Sequence, residues 1–165
     1  MTRRTLLGTL IVLLAVSTAP LAAQDGDDIV LKFKRLFGVN GPFLSSANPA
    51  TPLRGLNGAP GPWAIQRANG QLNANGRLEV HVRGLIIPPP LLGRNPIPFF
   101  RAVVSCRSVD SGGNAVIANV QTDTFPATPA GDADIEQQLT LPSPCVAPIV
   151  FVTSPNLIWL AVTGQ

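Results

Sequence analysis

The sequence predicts an all-β protein, specifically an antiparallel β-sandwich of the Ig-like or a related Greek-key type, with about seven strands and one disulfide. Three observations lead to this prediction: short segments alternate apolar and polar residues, turn-forming residues separate them, and two cysteines occur in a chain with an export signal. Short strands at this spacing are typical of a sandwich. The strand order does not follow from the pattern, and a barrel remains an alternative.

The start of the chain resembles a secretory signal peptide. Residues 1–4 contain two arginines, residues 5–19 are largely apolar, and small residues precede an expected cleavage after Ala23. The apolar run is shorter than the roughly 20 residues that a membrane span needs, so we expect no stable span after cleavage. The protein is therefore expected to be secreted or periplasmic by bacterial-type export. Arg3 and Arg4 fit either the general or the twin-arginine route.

Cleavage would leave 142 residues and would remove two of the twelve basic residues but none of the nine acidic ones, giving a net charge of +1. The remaining arginines are scattered between residues 35 and 107, without a basic stripe, so nucleic-acid binding is not expected. We expect residues 24–62 to form an N-terminal segment with a Gly/Pro-rich loop. Residues 63–165 are expected to form the sandwich.

The segment 29–37 fits either a helix with one apolar face or a strand. It is also basic and amphipathic, and such a stretch can touch a membrane surface, although packing on the sandwich is the simpler interpretation. Residues 38–62 are rich in glycine and proline and include the turn pairs Asn48-Pro49 and Asn57-Gly58. We expect a long surface loop here, which is one candidate binding surface.

A strand over residues 63–68, extended by Leu72, is followed by a turn at Asn75-Gly76 and a strand over residues 77–86. In the second strand, alternation directs Leu78, Val80 and Val82 inward and leaves His81 on the solvent face, as a surface pairing residue. The proline-rich residues 87–98 are then expected to cross from one sheet to the other.

The next strand is predicted over residues 98–106, where Phe100, Ala102, Val104 and Cys106 share one apolar face. The only other cysteine is Cys145, and two cysteines in an exported chain predict one disulfide. Closing this long loop should contribute roughly 4 kcal/mol to stability. The spacing does not match a redox-active Cys-x-x-Cys pair or a metal site.

Strands are also expected over residues 115–122 and 133–141. The last two segments, 149–152 and 157–162, are apolar on both faces. Such a hairpin either lies in the middle of a sandwich or uses its outer face to bind a partner; burial is the simpler interpretation.

No catalytic, cofactor-binding or metal-binding signature is evident. Metal centres need several clustered donors, and a serine triad needs a histidine base, whereas His81 is the only histidine. Asp110-Ser111-Gly112 matches the short core of an aspartic-protease loop. A glycosidase would need two acids from a small set: Glu79, Asp110, Asp123, Asp132, Asp134 and Glu136.

We therefore expect an exported, non-enzymatic binding or envelope-associated module whose ligand is a protein, a glycan or an envelope surface, contacted through loops or a hairpin face. The alternative is a small secreted hydrolase of the aspartic type that uses Asp110. That alternative requires Asp110 to lie in a cleft beside a second carboxylate.

Overall fold

The computed structural model describes residues 28–47 and 50–164. The expected signal peptide and the Asn48-Pro49 turn lie outside these ranges. The described residues form ten β-strands and a single 3₁₀ turn at Gly41–Phe43. None of them belongs to a helix with the length and apolar character that crossing a bilayer requires.

The strands, in chain order, are β1 (Ile29–Phe33), β2 (Leu36–Gly38), β3 (Arg67–Asn73), β4 (Arg77–Arg83), β5 (Phe99–Val109), β6 (Ala115–Gln121), β7 (Phe125–Pro126), β8 (Ala133–Gln138), β9 (Val146–Thr153) and β10 (Trp159–Thr163).

Two antiparallel sheets form the sandwich. The order is β1-β3-β4-β8 in the first sheet and β2-β10-β9-β5-β6 in the second, where β7 also pairs with β5. The all-β fold with two packed antiparallel sheets and one disulfide is confirmed. Seven strands, β3–β6 and β8–β10, match expected ones, although the first begins at Arg67 and not at Trp63, so the prediction of a strand over residues 63–66 was wrong. The three additional strands, β1, β2 and β7, are all short.

The ambiguous segment 29–37 forms strands and no helix. β1 pairs with β3 in the four-stranded sheet, and β2 pairs with β10 in the six-stranded sheet. Each becomes an outer strand, with Phe33 and Leu36 buried in the core. The sheets consequently begin well before residue 63, where the sandwich was expected to start.

The core lies between the sheets and is centred on β5. The predicted inward residues of this strand, Phe100, Ala102, Val104 and Cys106, are fully buried. Cys106 forms the disulfide with Cys145, with the two Cα atoms 4.9 Å apart, within the normal range. The bond ties the central strand to the connection between β8 and β9. Residues 87–98 cross between the sheets as predicted, because β4 and β5 belong to different ones.

The outer face of the six-stranded sheet is covered by the chain itself. Residues 41–47 and 50–59, which we call the covering segment, pack on it: the Phe43 ring lies 6.0 Å from the Trp159 ring, which in turn contacts Phe151. Backbone hydrogen bonds join Ala59 N to Trp159 O and Trp159 N to Asn57 O. The apolar outer face of the last hairpin is therefore buried, and the expected surface loop is its cover.

Candidate functional site

The outer face of the four-stranded sheet is polar and open to solvent. The β3–β4 pairing places Arg67 opposite Arg83, Asn69 opposite His81 and Gln71 opposite Glu79. These side chains point away from the core because the alternate residues on both strands are the buried ones. The turn at Asn75-Gly76, where Gly76 has φ +91°, sets this register.

Charges on β4 and β8 neutralise one another across the strands. Arg77 lies 2.9 Å from Glu79 and 2.6 Å from Glu136, and Arg83 lies 2.9 Å from Asp134. These groups are exposed or, for Glu79 and Arg83, half-buried at the surface, so each pair contributes only about 0–1 kcal/mol to stability. This half of the face is locally balanced in charge.

The single histidine belongs to this balanced half. His81 Nδ1 donates to Asp134 Oδ1 at 2.8 Å on an exposed surface. This hydrogen bond, followed by the contribution of Arg83, lowers the pKa of the Asp134 carboxyl below its ordinary value, although partial burial opposes the shift. His81 is thus a cross-strand pairing residue, as its position in the alternation predicted.

Beside this balanced half, on β1, on β3 and in the connection from β1 to β2, lie exposed cations that lack ion pairs. They are Lys32, Lys34, Arg35 and Arg67, and none of them has an acidic partner within the described part of the chain. Lys32 pairs with Gln71 in the β1–β3 ladder, and Arg67 begins β3. We call the concave surface that these four residues border the cationic groove.

The cationic groove has two adjoining lobes of about 400 and 570 Å³. Lys34 and Arg67 line both lobes, so the groove is continuous around this side of the sandwich. The first lobe is also lined by the amide residues Asn69 and Gln71 and, at its border with the balanced half, by Glu79 and His81. The Glu79 carboxylate is held there by Arg77 and by the Gln71 amide. The second is lined by Gln66 and by Phe37, a residue that is 52% exposed.

Asp110, the residue of the hydrolase alternative, lies in the exposed turn between β5 and β6. Its Oδ1 accepts hydrogen bonds from Gly112 N and Asn114 N, both at 2.9 Å, and its carboxylate also contacts the Asn114 amide group. These hydrogen bonds, with the Asn114 backbone as the largest cause, lower the pKa of the carboxyl. The carboxylate stabilises its own turn, and the partners found for it among the described residues are backbone and amide groups.

Two of the other candidate acids lie on β8. Asp134 and Glu136 share an exposed face, as the alternation predicted, and both are held by cations. In the ranges that the structure describes, no three His, Cys, Asp or Glu side chains are grouped so that they could hold a metal ion.

Sequence reasoning did not find the cationic groove. The local run Lys32, Lys34 and Arg35 was visible as a basic stretch, but its relation to Arg67 depends on pairing between strands more than thirty residues apart. Arginines that look scattered along the chain are brought to one side of the sandwich by that pairing.

No protein-family model matches the chain, and no curated protein or solved structure matches it either.

Proposed function

We propose that this protein is an exported, non-enzymatic binding module and that its cationic groove holds an extended acidic glycan. The signal-like residues 1–23 support export, and the Cys106–Cys145 disulfide fits an oxidising compartment. The groove is part of the folded surface of the sandwich, and binding there requires no catalytic group.

The observation that carries the proposal is the unequal distribution of ion pairs on this side of the sandwich. On β4 and β8 the cations are matched by carboxylates, whereas the four cations of the groove have no acidic partner among the described residues. An anionic ligand would supply the missing partners. Because the groove is open, such contacts are weak individually and add up along an extended ligand.

The other residues of the groove favour a glycan. The side-chain amides of Gln66, Asn69 and Gln71 can both donate to and accept from sugar hydroxyls. The exposed ring of Phe37 offers a flat apolar surface to one sugar face. The groove contains only this one exposed aromatic, whereas single-stranded nucleic-acid sites use successive stacking rings.

Binding to polygalacturonate, with uncharged dextran as the reference polymer, tests the proposal. We expect binding to polygalacturonate that weakens as salt is raised, because the contacts are exposed and screened. The double variant Lys34→Glu/Arg67→Glu should lose roughly tenfold or more in affinity, which corresponds to about 1.4 kcal/mol. The matched control Arg94→Glu/Arg107→Glu changes two other exposed arginines and should bind like the wild type.

Several outcomes would count against the proposal. Equal binding of dextran and polygalacturonate, or equal losses in the two double variants, would exclude the groove as a specific anion site. Preferential binding to vesicles containing anionic lipid would indicate membrane contact, and tighter binding to single-stranded DNA would indicate nucleic-acid recognition. Release of reducing ends from polygalacturonate would contradict a non-enzymatic role.

A further inference from the structure

The two sheets have four outer strands, and three of them carry features that discourage pairing with another chain. β1 contains Lys32 and an irregular register, β2 has only three residues, and β8 contains Asp134 and Glu136. Charges, short length and bulges are the usual protections of a sheet edge. Among the described strands, β6 is the outer strand that lacks all three.

β6 runs from Ala115 to Gln121 with the sequence AVIANVQ, which contains no charged residue, no proline and no glycine. Its pairing with β5 is regular over all seven residues. It pairs only with β5 within the part of the chain described here, so its second side is open. Three of its seven residues are β-branched, which favours strand pairing.

The hydrogen bonds at the two ends of the β5–β6 hairpin show which backbone groups point to the open side. Asp110 N bonds Asn114 O at one end, and Thr122 N bonds Ala102 O at the other. In an antiparallel ladder, hydrogen-bonded and non-hydrogen-bonded pairs alternate. The even-numbered residues of β6 therefore bond β5, and the odd-numbered ones direct N–H and C=O outward: Ala115, Ile117, Asn119 and Gln121.

We propose that β6 pairs antiparallel with β6 of a second copy of this chain, about a two-fold axis at Ala118. This register places Ile117 opposite Asn119 and Ala115 opposite Gln121 of the second copy. All four are residues with outward backbone groups, so the pairing forms roughly eight hydrogen bonds between the copies. If the register between the two β6 strands shifted by one residue, outward backbone groups would lie opposite inward ones, and these hydrogen bonds could not form.

The side chains favour the same register and a second copy as the occupant. Val116 comes to lie opposite Val120 of the second copy, in a position where side chains approach closely. Both valines, together with Ala118, are only half-buried in the single chain because no further strand flanks them. The strand carries no charge, so two identical edges meet without repulsion, and a two-fold pairing closes after two copies.

Sedimentation velocity of the full exported protein tests the proposal. Protein concentration is varied from about 1 to about 200 µM, because the fraction of dimer should rise with concentration. We expect the mass to rise toward that of a dimer and no further. Ile117→Lys introduces a charge on the paired edge and should give a monomer throughout. Ile117→Pro removes one outward N–H that does not belong to the β5 ladder, and it should also give a monomer.

Val146→Lys is the matched control. Val146 is 54% exposed and Ile117 is 46% exposed, but Val146 lies on β9, away from the edge. This variant should still form the dimer. Circular dichroism should show that each variant is folded, and so should protection of the disulfide of buried Cys106 from reduction, read by alkylation of any released thiols. A wild type that stays monomeric, a dimer that persists in both Ile117 variants, an equal loss in Val146→Lys or growth into larger polymers would overturn the proposal.

Discussion

At the scale of single residues, Asp110 stabilises the turn that connects β5 to β6. Its carboxylate accepts hydrogen bonds from Gly112 and Asn114, and these bonds lower its pKa relative to the unfolded chain. A lowered carboxyl pKa adds stability at any pH above the unfolded value of about 3.9, and this contribution is lost as pH falls through the folded value.

We therefore predict that Asp110→Asn lowers the melting temperature at neutral pH and that the difference from the wild type shrinks below about pH 4. Thermal melts of both proteins from about pH 7 to about pH 2 measure this difference. A difference that stays constant across the range would contradict the role of the charge. Loss of a hydrolytic activity in the variant would instead restore the aspartic-type alternative.

The face of the sheet on which a residue lies was predictable from the sequence wherever a nearby turn and the local alternation determine it. The Asn75-Gly76 turn and the alternation of β4 together place His81 on the solvent face, and the structure confirms this position. Lys32 and Arg67 illustrate the opposite case. They are close because β1 pairs with β3, and the alternation of residues within a strand does not indicate which other strand it will pair with.

At the scale of elements, the covering segment explains how a sheet that is apolar on both faces stays out of water. Arg54 anchors this segment: its guanidinium donates to Ser105 O at 3.1 Å and to Ala147 O at 3.0 Å. These carbonyls flank the register irregularity between β5 and β9. Partial burial and the nearby Arg107 lower the pKa of Arg54, which stays protonated in the physiological range.

We predict that Arg54→Ala weakens the attachment of the covering segment by about 1–2 kcal/mol, because two hydrogen bonds from a charged donor at a half-buried site are lost. The Ala59 amide, which bonds Trp159 O, should then exchange with solvent roughly 5–30 times faster. Hydrogen exchange followed by mass spectrometry measures this rate.

Arg107→Ala is the control for this experiment, since it removes a neighbouring exposed arginine whose side chain has no ion pair among the described residues. Its positive charge repels Arg54, so its removal should not weaken the attachment. Alanine at position 54 adds no strain beyond that of arginine, because both are L-residues at the same φ of +50°. Equal exchange in the two variants would mean that Arg54 is not the anchor.

The sequence indicated that the last hairpin is apolar on both sides, but it left two explanations, burial and partner binding. Phe151 and Trp159 illustrate why the sequence could not distinguish burial from partner binding. Their hydrophobicity predicts that something covers them, whereas the identity of the cover is a long-range contact made by glycine- and proline-rich residues that have no periodicity of their own. The irregular segment therefore looked like a free loop.

At the scale of the whole molecule, the two proposed surfaces lie at opposite ends of the six-stranded sheet. The cationic groove borders β2, and the open edge is β6. Pairing of β6 with its copy would therefore join the sheets into one continuous sheet with a groove at each end. With a strand spacing of about 4.8 Å, the two β2 strands would be about 40 Å apart along the sheet.

This spacing leads to a prediction that combines both proposals. A polygalacturonate chain longer than the span can occupy both grooves of a dimer, whereas a short oligogalacturonate can occupy only one. When a second contact becomes intramolecular, the apparent affinity rises without any new interaction. At concentrations where the wild type is dimeric, Ile117→Lys should therefore bind the long polymer roughly 10–100 times more weakly but bind the short oligomer equally well.

Titration calorimetry with the two ligands measures both affinities. Val146→Lys adds the same positive charge without touching the β6 edge, so it separates the loss of avidity from a direct effect of charge on polyanion binding. It should bind the long polymer like the wild type. Equal changes for the long and short ligands in Ile117→Lys would show that the two grooves act independently. In that case pairing through β6 would serve assembly alone, because it would place no second groove within reach of the same glycan chain.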